Sequence, residues 1–282
     1  MNGFINLLKP AGMSSAYAVG AVKKKFNMPC GHMGTLDPMA EGVLPVGVGR
    51  ASRLFQYLTE KRKSYKARFK FGLITDTLDT TGVTENTCAH VPSQEEIEGA
   101  LGAFKGVIEQ IPPRYSAKCV GGKRGYKLAR QGVDFTPAPA RVEVFDFYCI
   151  GKTGEDEYEF NIECGGGVYI RSLARDLAAA CGSLAVMSAL TRTRSGVFDY
   201  ESGVKLEEFA QSISPEKYLI PPQNTLSYES IVLSKAQAER ILNGIFDYRT
   251  EKDGLFKVFC EEEFWGVGEA AGGILKIKTY VR

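Results

Sequence analysis

Two segments of the chain alternate between apolar and polar positions, which is the pattern of half-buried β-strands. The first runs from Tyr65 to Leu73 and places Lys66, Arg68 and Lys70 between its apolar residues. The second runs from Tyr158 to Cys164, again with an apolar residue at every other position. Because successive side chains of a strand point to opposite faces, we expect two strands with one buried face each. The outer face of the first strand is basic.

Helical spacing appears in four places, each with a start or stop signal. Ser14 or Ser15 can cap a first helix that ends between Asn27 and Gly31. Capping boxes open two further helices at Ser93 and Ser234. A fourth helix follows Gly165-Gly166-Gly167 and stops near Gly182. With a strand at Phe4–Leu8 and short strands over 256–279, the elements do not alternate as βαβ units, so the sequence predicts an α+β fold.

Two features divide the chain. Pro221-Pro222 marks the expected boundary between a large domain, residues 1–222, and a small β-rich domain, residues 223–282. Within the large domain, a segment of about 112–135 is rich in glycine and basic residues and has few apolar anchors, so we expect a protruding insertion. Its cations form one basic cluster, and a second basic cluster spans Arg50 to Lys70. Each cluster could bind the phosphate backbone of a nucleic acid, or it is only a solvated surface. The insertion carries Arg114, Lys118, Lys123, Arg124, Lys127 and Arg130.

Composition excludes several classes of protein. An apolar fraction of 44% and a net charge of +2 describe a folded globular chain of 282 residues. Seven cysteines without a C-x-x-C pair indicate reduced thiols, and two histidines argue against a zinc site. We find no signal peptide and no apolar run of membrane-spanning length, so we expect a cytoplasmic protein that binds no metal and no membrane. Motifs for dinucleotides and P-loops are incomplete, and we expect no cofactor.

The segment from Gly31 to Pro45 is the most informative in the chain. It places one carboxylate, Asp37, in a loop with three glycines, and Pro38 holds Asp37 out of regular helix. A carboxylate held in this way is a candidate nucleophile or base. The alternative is an Asx-type turn in which Asp37 only caps the local backbone.

This segment resembles the signature of the bacterial tRNA pseudouridine synthase B family, G-H-x-G-x-L-D-P-x-A-x-G-x-L, at every fixed position. The resemblance covers about residues 3–200 densely and the remainder thinly. It implies a pseudouridine synthase fold, with a large, mostly antiparallel mixed sheet, and a short C-terminal domain similar to PUA RNA-binding modules. It also implies isomerisation of uridine 55 in the T-loop of tRNA, with Asp37 as the catalytic residue and His32 filling the space of the flipped base.

The same resemblance implies further substrate-binding residues. Gly167 to Arg171 matches the family's G-x-Y-I-R segment, so Arg171 would pair with Asp37 and Tyr169 would line the pocket. Tyr65 would stack on the target base, although core packing is an adequate alternative. Asp76 lies in a match to T-D-T-x-D-x-x-G, where turn formation is the alternative, and Leu190 matches an apolar pocket residue or is core. In the family the insertion clamps the T-stem as a thumb, and Gly166 replaces a lysine that is often present.

Three interpretations of the function follow. The first is a monomeric, cofactor-free tRNA uridine-55 pseudouridine synthase. The second is a relative that acts on another RNA, against which the absence of basic extensions argues. The third is an RNA-binding or tRNA-folding factor, against which an intact set of Asp37, Tyr65 and Arg171 argues. The sequence leaves open whether Asp37 attacks the sugar, removes the C2′ proton or attacks the base.

Overall fold

The computed structural model describes residues 1–58, 61–116, 118–120, 122–246 and 248–281, without the side chains of residues 119, 120, 123, 124 and 130. Its helices are α1 Ser15–Phe26, α2 Gln94–Leu101, α3 Gly125–Arg130, α4 Ile170–Ala180, α5 Leu206–Gln211 and α6 Lys235–Leu242. Short 3-10 helices cover Gly49–Tyr57, Gly102–Phe104, Pro215–Tyr218 and Pro222–Thr225.

The strands are β1 Gly3–Lys9, β2 Cys30–His32, β3 Glu41–Val48, β4 Lys63–Phe71, β5 Leu73–Thr75, β6 Thr84–Thr87, β7 Gly106–Gln110, β8 Cys119–Val120, β9 Lys123–Arg124, β10 Ala140–Lys152, β11 Glu157–Cys164, β12 Ala185–Ser195, β13 Phe198–Asp199, β14 Val204–Lys205, β15 Ser230–Leu233, β16 Gly254–Cys260, β17 Glu263–Ala271 and β18 Ile274–Tyr280. Within the described residues, no helix is both long and apolar enough to cross a membrane.

The chain divides into two compact units. The first comprises Met1–Pro38, Gly42–Glu60 and Gly196–Arg282, and the second comprises Met39–Glu41 and Lys61–Ser195. The predicted boundary after residue 222 stays a prediction. Residues 230–280 form their own four-stranded sheet, but Val267 and Val281 share an apolar cluster with Phe4 and Leu54 of the same unit.

The second unit is built on an antiparallel sheet in the order β12-β4-β11-β10-β7. On its buried face Phe69 stacks on Phe160 at 4.6 Å between ring centroids, and Phe147 packs against both rings. Helix α4 packs on β12 and α2 on β10, and their apolar faces close this core. The alternation predicted for β11 is confirmed, and so is that of β4 from Tyr65 to Phe71, where every apolar residue is buried. The predicted extension to Leu73 is wrong: Gly72, with a φ of +89°, ends β4, and Leu73 begins the separate strand β5.

The outer face of β4 is basic, as predicted, but its charges are paired. Arg68 lies 3.2 Å and Lys66 3.8 Å from the carboxylate of Glu159 on the adjacent strand β11. Lys70 pairs with Asp156 at 3.5 Å. Cross-strand pairs of opposite charge stabilise a sheet, and they also cancel its field at a distance. For this part of the first basic cluster, the solvated-face interpretation describes the structure better than a phosphate-binding surface.

The first unit has mixed sheets. Strand β1 pairs antiparallel with β3 and parallel with β14, and β2 pairs antiparallel with β3. The C-terminal sheet has the order β15-β16-β17-β18, in which only β15–β16 is parallel. The predicted α+β class, with mostly antiparallel pairing and a small β-rich C-terminal part, is confirmed. Both predicted capping boxes are present, and Ser14, rather than Ser15, caps α1.

We predict that Gly266→Ala destabilises the C-terminal sheet strongly. Gly266 has a φ of +144°, and a Cβ there would collide with the carbonyl oxygen of Thr279 on the next strand. The matched control is Gly272→Ala, because Gly272 also has a positive φ, +59°, but open space around its Cβ position. The control should cost about 1–2 kcal/mol of unfolding free energy, and Gly266→Ala at least about 2 kcal/mol more.

Urea unfolding followed by fluorescence measures this difference directly. The single tryptophan of the chain, Trp265, is buried in β17 beside Gly266. Equal losses of unfolding free energy in the two variants would show that the close approach of Thr279 does not matter.

Candidate active site

The Asp37 loop connects β2 to β3 in the first unit, and Asp37 itself is half-buried in irregular backbone. Gly34 has a φ of +78° and Gly42 one of +101°, so two of the three glycines adopt angles that favour glycine. Gly31 instead lies in extended β2. The loop is therefore shaped by its glycines at two of the three predicted positions.

Side chains from α1 and β1 hold the backbone on both sides of Asp37. The hydroxyl of the buried Ser15 donates to the carbonyl of Leu36 and accepts from its N–H, both at 2.9 Å. The Lys9 ammonium donates to the carbonyl of Pro38 at 3.4 Å, and the N–H of Gly12 donates to the same oxygen at 2.8 Å. The residues before and after Asp37 are thus fixed independently.

Lys9 is a residue that sequence reasoning missed. It is fully buried, and its ammonium also donates to the carbonyls of Pro10 and Met13, both at 2.8 Å. A lysine is almost never buried unless its charge is satisfied, and here backbone carbonyls satisfy it. Lys9 follows directly after the predicted strand Phe4–Leu8, and nothing in the sequence predicted that its side chain would point inward.

His32 is the last residue of β2, opposite Val46 of β3. It is half-buried. The N–H of the next residue, Met33, donates to the carbonyl of Pro45 at 2.9 Å, which closes the base of the loop. Asp37 and His32 therefore belong to one segment of the first unit, as the motif predicted.

In the second unit, Arg171 connects two loops. Its side chain is almost completely buried at the start of α4 and donates to the carbonyls of Thr77, at 2.7 Å, and Tyr115, at 3.0 Å. Its Nη1 also lies 3.8 Å from the carboxylate of Asp79. Protein groups, and not solvent, therefore satisfy the Arg171 guanidinium. The predicted pairing with Asp37 stays a prediction.

The loop that contains Asp76 and Asp79 is a tight turn. Asp79 Oδ1 accepts from the Thr77 hydroxyl at 2.8 Å and from the N–H of Thr81 at 3.0 Å. Asp76 accepts from the N–H of Val83 at 2.8 Å and from the Tyr115 hydroxyl at 3.3 Å. Turn formation thus describes Asp76 well, and its role in substrate binding remains untested. Asp79 and Tyr115 contact Arg171 and were not predicted as site residues; the T-D-T-x-D motif was the signal for Asp79.

Tyr65 and Leu190 lie on the same buried face of the sheet. Tyr65 of β4 is opposite Arg192 of β12, and Leu190 is opposite Ala67, the next residue on that face. Tyr65 and Leu190 are each 7% exposed. The structure therefore brings two predicted substrate-binding residues together, at a position that core packing alone would also produce.

Tyr169 precedes α4, and both of its backbone groups are held by one side chain. Gln110 Oε1 accepts from the N–H of Tyr169 at 2.8 Å, and Gln110 Nε2 donates to its carbonyl at 3.1 Å. Gln110 is fully buried and ends β7. It was missed because a glutamine at the end of a strand carries no distinctive signal.

A cluster of ionisable side chains lies at the start of β4. Lys63 is opposite Cys164 of β11, and burial raises the pKa of the Cys164 thiol to about 12. The pKa of Lys63 is lowered, mainly by burial and secondly by the positive charge of Arg192. Cys164 therefore stays a neutral thiol at physiological pH and is no competing nucleophile. In the described part of the chain, no group of three His, Cys, Asp or Glu side chains has the arrangement of a metal site.

The predicted RNA-binding insertion forms the hairpin β8–β9 and the helix α3. Arg114 at its base donates to the carbonyl of Val133 at 3.0 Å and pairs with Asp134 at 3.2 Å. Lys118 donates to the carbonyl of Ala138 at 3.0 Å, and Lys127 is exposed. The side chains of Lys123, Arg124 and Arg130 lie outside the described residues. Arg114 therefore joins the two ends of the insertion, and Lys118 connects the insertion to the segment that follows it.

Solved structures share this fold. The chain matches a subunit of "Structure of H/ACA RNP bound to a substrate RNA containing 2'-deoxyuridine" at a TM-score of 0.72 and 22% identity, covering 99% of this chain and 85% of the other. It matches a chain of "Crystal Structure of a Cbf5-Nop10-Gar1 Complex" equally well, at 0.72 and 23%, covering 99% and 84%. These identities concern the fold alone, and they confirm the predicted pseudouridine synthase fold.

Sequence comparison defines the family. The profile described as "TruB family pseudouridylate synthase (N terminal domain)" matches residues 23–170, and "tRNA pseudouridylate synthase B C-terminal domain" matches residues 171–221. A protein of Acaryochloris marina named tRNA pseudouridine synthase B is 41% identical, covering 99% of this chain and 98% of its own. One of Alkaliphilus oremlandii with the same name is 37% identical, covering 95% and 93%. The chain belongs to the TruB family of pseudouridylate synthases.

We predict that Ser15→Ala loosens the backbone next to Asp37. The substitution leaves the buried N–H and carbonyl of Leu36 without their partner, at a cost of about 1–3 kcal/mol. The Leu36 amide should therefore exchange its hydrogen about five to a hundred times faster. Hydrogen–deuterium exchange read by mass spectrometry over residues 33–39 measures this change.

Ser14→Ala is the matched control for this experiment. Ser14 caps α1 by accepting from the N–H of Tyr17, and its loss costs about 1 kcal/mol at the start of the helix. If both variants change exchange over residues 33–39 equally, Ser15 has no specific role in holding the Asp37 loop.

Proposed function

We propose that this protein converts uridine 55 in the T-loop of tRNA to pseudouridine and that Asp37 is the catalytic residue. The observation that carries the proposal is the similarity, over nearly the whole length of both chains, to relatives named tRNA pseudouridine synthase B. Those names favour a tRNA enzyme over an RNA-folding factor. The chain also retains the complete G-H-x-G-x-L-D-P motif.

The reaction is an isomerisation. The bond between C1′ of the ribose and N1 of uracil breaks, C1′ joins C5 of the same base, and the hydrogen of C5 is replaced by one on N1. Nothing is oxidised or reduced. A uridine inside a folded loop is out of reach, so it must be flipped out of the stack first. The protein must then supply an ionised carboxylate at a fixed position and a surface that holds the detached base.

The Asp37 loop is suited to fixing such a carboxylate. The hydrogen bonds of Ser15 to Leu36 and of Lys9 and Gly12 to Pro38 restrain the backbone on both sides of Asp37. Preorganisation of this kind removes the cost of arranging a catalytic group at the moment of reaction. An ionised carboxylate held in this way can attack the sugar, remove the C2′ proton or attack the base.

We assign the remaining residues to substrate binding on the basis of the family resemblance. Tyr65 and Leu190 would hold the flipped base, with stacking on Tyr65 worth about 1–3 kcal/mol. Tyr169 would line the pocket, His32 would fill the vacated stack, and Arg171 would keep Asp37 ionised. Tyr65 lies on the central strand β4 and only 7% of its surface is exposed, so the side chains that cover its ring would have to move for a base to stack on it.

We further propose that the basic insertion contacts the T-stem. Lys127 on α3 is exposed and available to a phosphate. Arg114 and Lys118 make backbone hydrogen bonds that order the insertion, so their contribution to RNA binding would be partly indirect.

An unmodified tRNA transcript tests the proposal. After incubation with the protein, carbodiimide modification followed by primer extension should stop at position 55. A transcript with cytidine at that position is the control, because it offers no uridine to isomerise. Pseudouridine at another position, or none at all, would contradict the assignment.

We predict that Asp37→Asn abolishes the reaction while tRNA binding stays within about three-fold of wild type. The change is nearly isosteric and removes the charge, and loss of a catalytic carboxylate should lower the single-turnover rate at least about a hundred-fold. Asp156→Asn is the matched control, because Asp156 forms only a surface ion pair with Lys70. A single-turnover rate of Asp37→Asn within ten-fold of wild type would contradict a catalytic role.

We predict that Tyr65→Phe folds normally and keeps base stacking, whereas Tyr65→Leu weakens productive binding of the substrate. Loss of the ring should raise KM about five-fold or more, from the value of one stacked base. The control is Tyr158→Phe: Tyr158 is also buried, and its hydroxyl donates to the Pro92 carbonyl at 3.1 Å, so only stability should fall, by about 1 kcal/mol. If Tyr65→Leu unfolds and Tyr65→Phe is fully active, Tyr65 is a core residue only.

A further inference from the structure

A groove on the first unit lies between α1 and α5, and neither the Asp37 motif nor the basic insertion contributes to it. Its volume is about 670 Å³, within the range of pockets that bind small ligands. It is lined by Tyr17, Gly20, Ala21, Lys24, Lys25 and Ala210. The lining combines three residues without bulky side chains with one aromatic ring and two ammonium groups.

The lining residues of α1 form one face of the helix. Tyr17, Gly20, Ala21 and Lys24 follow the spacing i, i+3, i+4 and i+7, which places them in one row. The buried face of the same helix, Ser15, Ala18 and Val22, is a different row. The groove face is therefore not the core face of α1, and packing does not explain why this row combines an aromatic residue with small residues.

Two contacts join α1 to α5 and the residue that follows it, at one end of the groove. The ring of Phe26, at the end of α1, lies 6.2 Å from that of Phe209 in α5, and Phe209 is fully buried. The Lys25 ammonium donates to the carbonyl of Ser212, just after α5, at 2.9 Å. The two walls are thus fixed to each other at one end, where Lys25 is also positioned.

The exposed ring of Tyr17 is the unusual feature. About 69% of its surface is exposed, although it lines the groove. An exposed aromatic ring next to lysines is the combination that binds unpaired nucleotides, since any base has a face to stack and a phosphate to neutralise. No carboxylate lines the groove in the described part of the chain. The nearby Glu207 and Glu208 accept hydrogen bonds from Gln211 and Tyr218.

We propose that this groove is a second RNA-binding surface, which takes an unstacked nucleotide of the tRNA with its base on Tyr17 and its phosphate at Lys24. The choice of RNA as the ligand rests on the proposed function. Lys24 and Lys25 line the groove and no described acidic residue does, which favours a polyanion over a protein segment as the ligand. The site is outside the loops that hold Asp37 and Arg171, so it would contribute to affinity and not to chemistry.

Binding of a full-length tRNA transcript, measured by fluorescence anisotropy at several salt concentrations, tests the proposal. Tyr17→Ala should weaken binding about five-fold or more, the value of one stacked base. Lys24→Ala should lower the log–log slope of affinity against salt by about 0.7–0.9, the value of one phosphate contact. Urea unfolding followed by Trp265 fluorescence confirms that both variants are folded.

Lys23→Ala is the matched control for charge. Lys23 is exposed, is adjacent to Lys24 on the same helix and does not line the groove. It should leave the salt slope and the rate of pseudouridine formation unchanged. Equal slopes for Lys23→Ala and Lys24→Ala, together with unchanged affinity of Tyr17→Ala, would overturn the proposal.

The two proposals fail separately. If the wild-type protein binds tRNA through Tyr17 and Lys24 but forms no pseudouridine, the proposed function is contradicted and the proposal of RNA binding in the groove is supported. A protein that modifies uridine 55 and binds tRNA independently of Tyr17 and Lys24 would contradict the groove alone.

Discussion

Buried cations that bind backbone carbonyl groups hold the loops that carry the predicted site residues Asp37 and Asp76. Lys9 donates to the carbonyls of Pro10, Met13 and Pro38, and so fixes the chain just after Asp37. Arg171 donates to the carbonyls of Thr77 and Tyr115 and so connects two loops of the other unit. A loop has few apolar contacts to hold it, and a buried ammonium or guanidinium that loses such partners is strongly destabilising. Each cation therefore depends on its loops as much as the loops depend on it.

The glycines of the Asp37 motif complement these cations. Gly34 in the loop before Asp37 and Gly42 at the start of β3 take positive φ values that favour glycine. The hydroxyl of Ser15 then secures Leu36 from α1. The glycines of the motif therefore determine the backbone conformation near Asp37, and residues distant in sequence stabilise that conformation.

The outer face of β4 and the groove between α1 and α5 both carry basic residues, but they differ in how many carboxylates lie beside those residues. On the outer face of β4, Lys66 and Arg68 share the carboxylate of Glu159 and Lys70 pairs with Asp156, so a run of basic residues in the sequence becomes a partly neutralised face. The groove between α1 and α5 has lysines and no carboxylate in its described lining. Net charge and basic runs therefore say little about where a polyanion binds; the partners supplied by neighbouring strands decide it.

Local patterns in the sequence determined the α+β class, the strands β4 and β11, both capping boxes and the family, because alternation, capping and motif spacing act over a few residues. Strand β12 escaped detection since bulges at Met187/Ala189 and Arg192/Arg194 break its alternation, and β3 since it is buried on both faces. The burial of Lys9, the link from Arg171 to Asp79 and the partial neutralisation of charge on β4 were decided only by the tertiary structure. Each of them joins residues that lie far apart in the chain or on adjacent strands, and no local pattern encodes which distant group will become the partner.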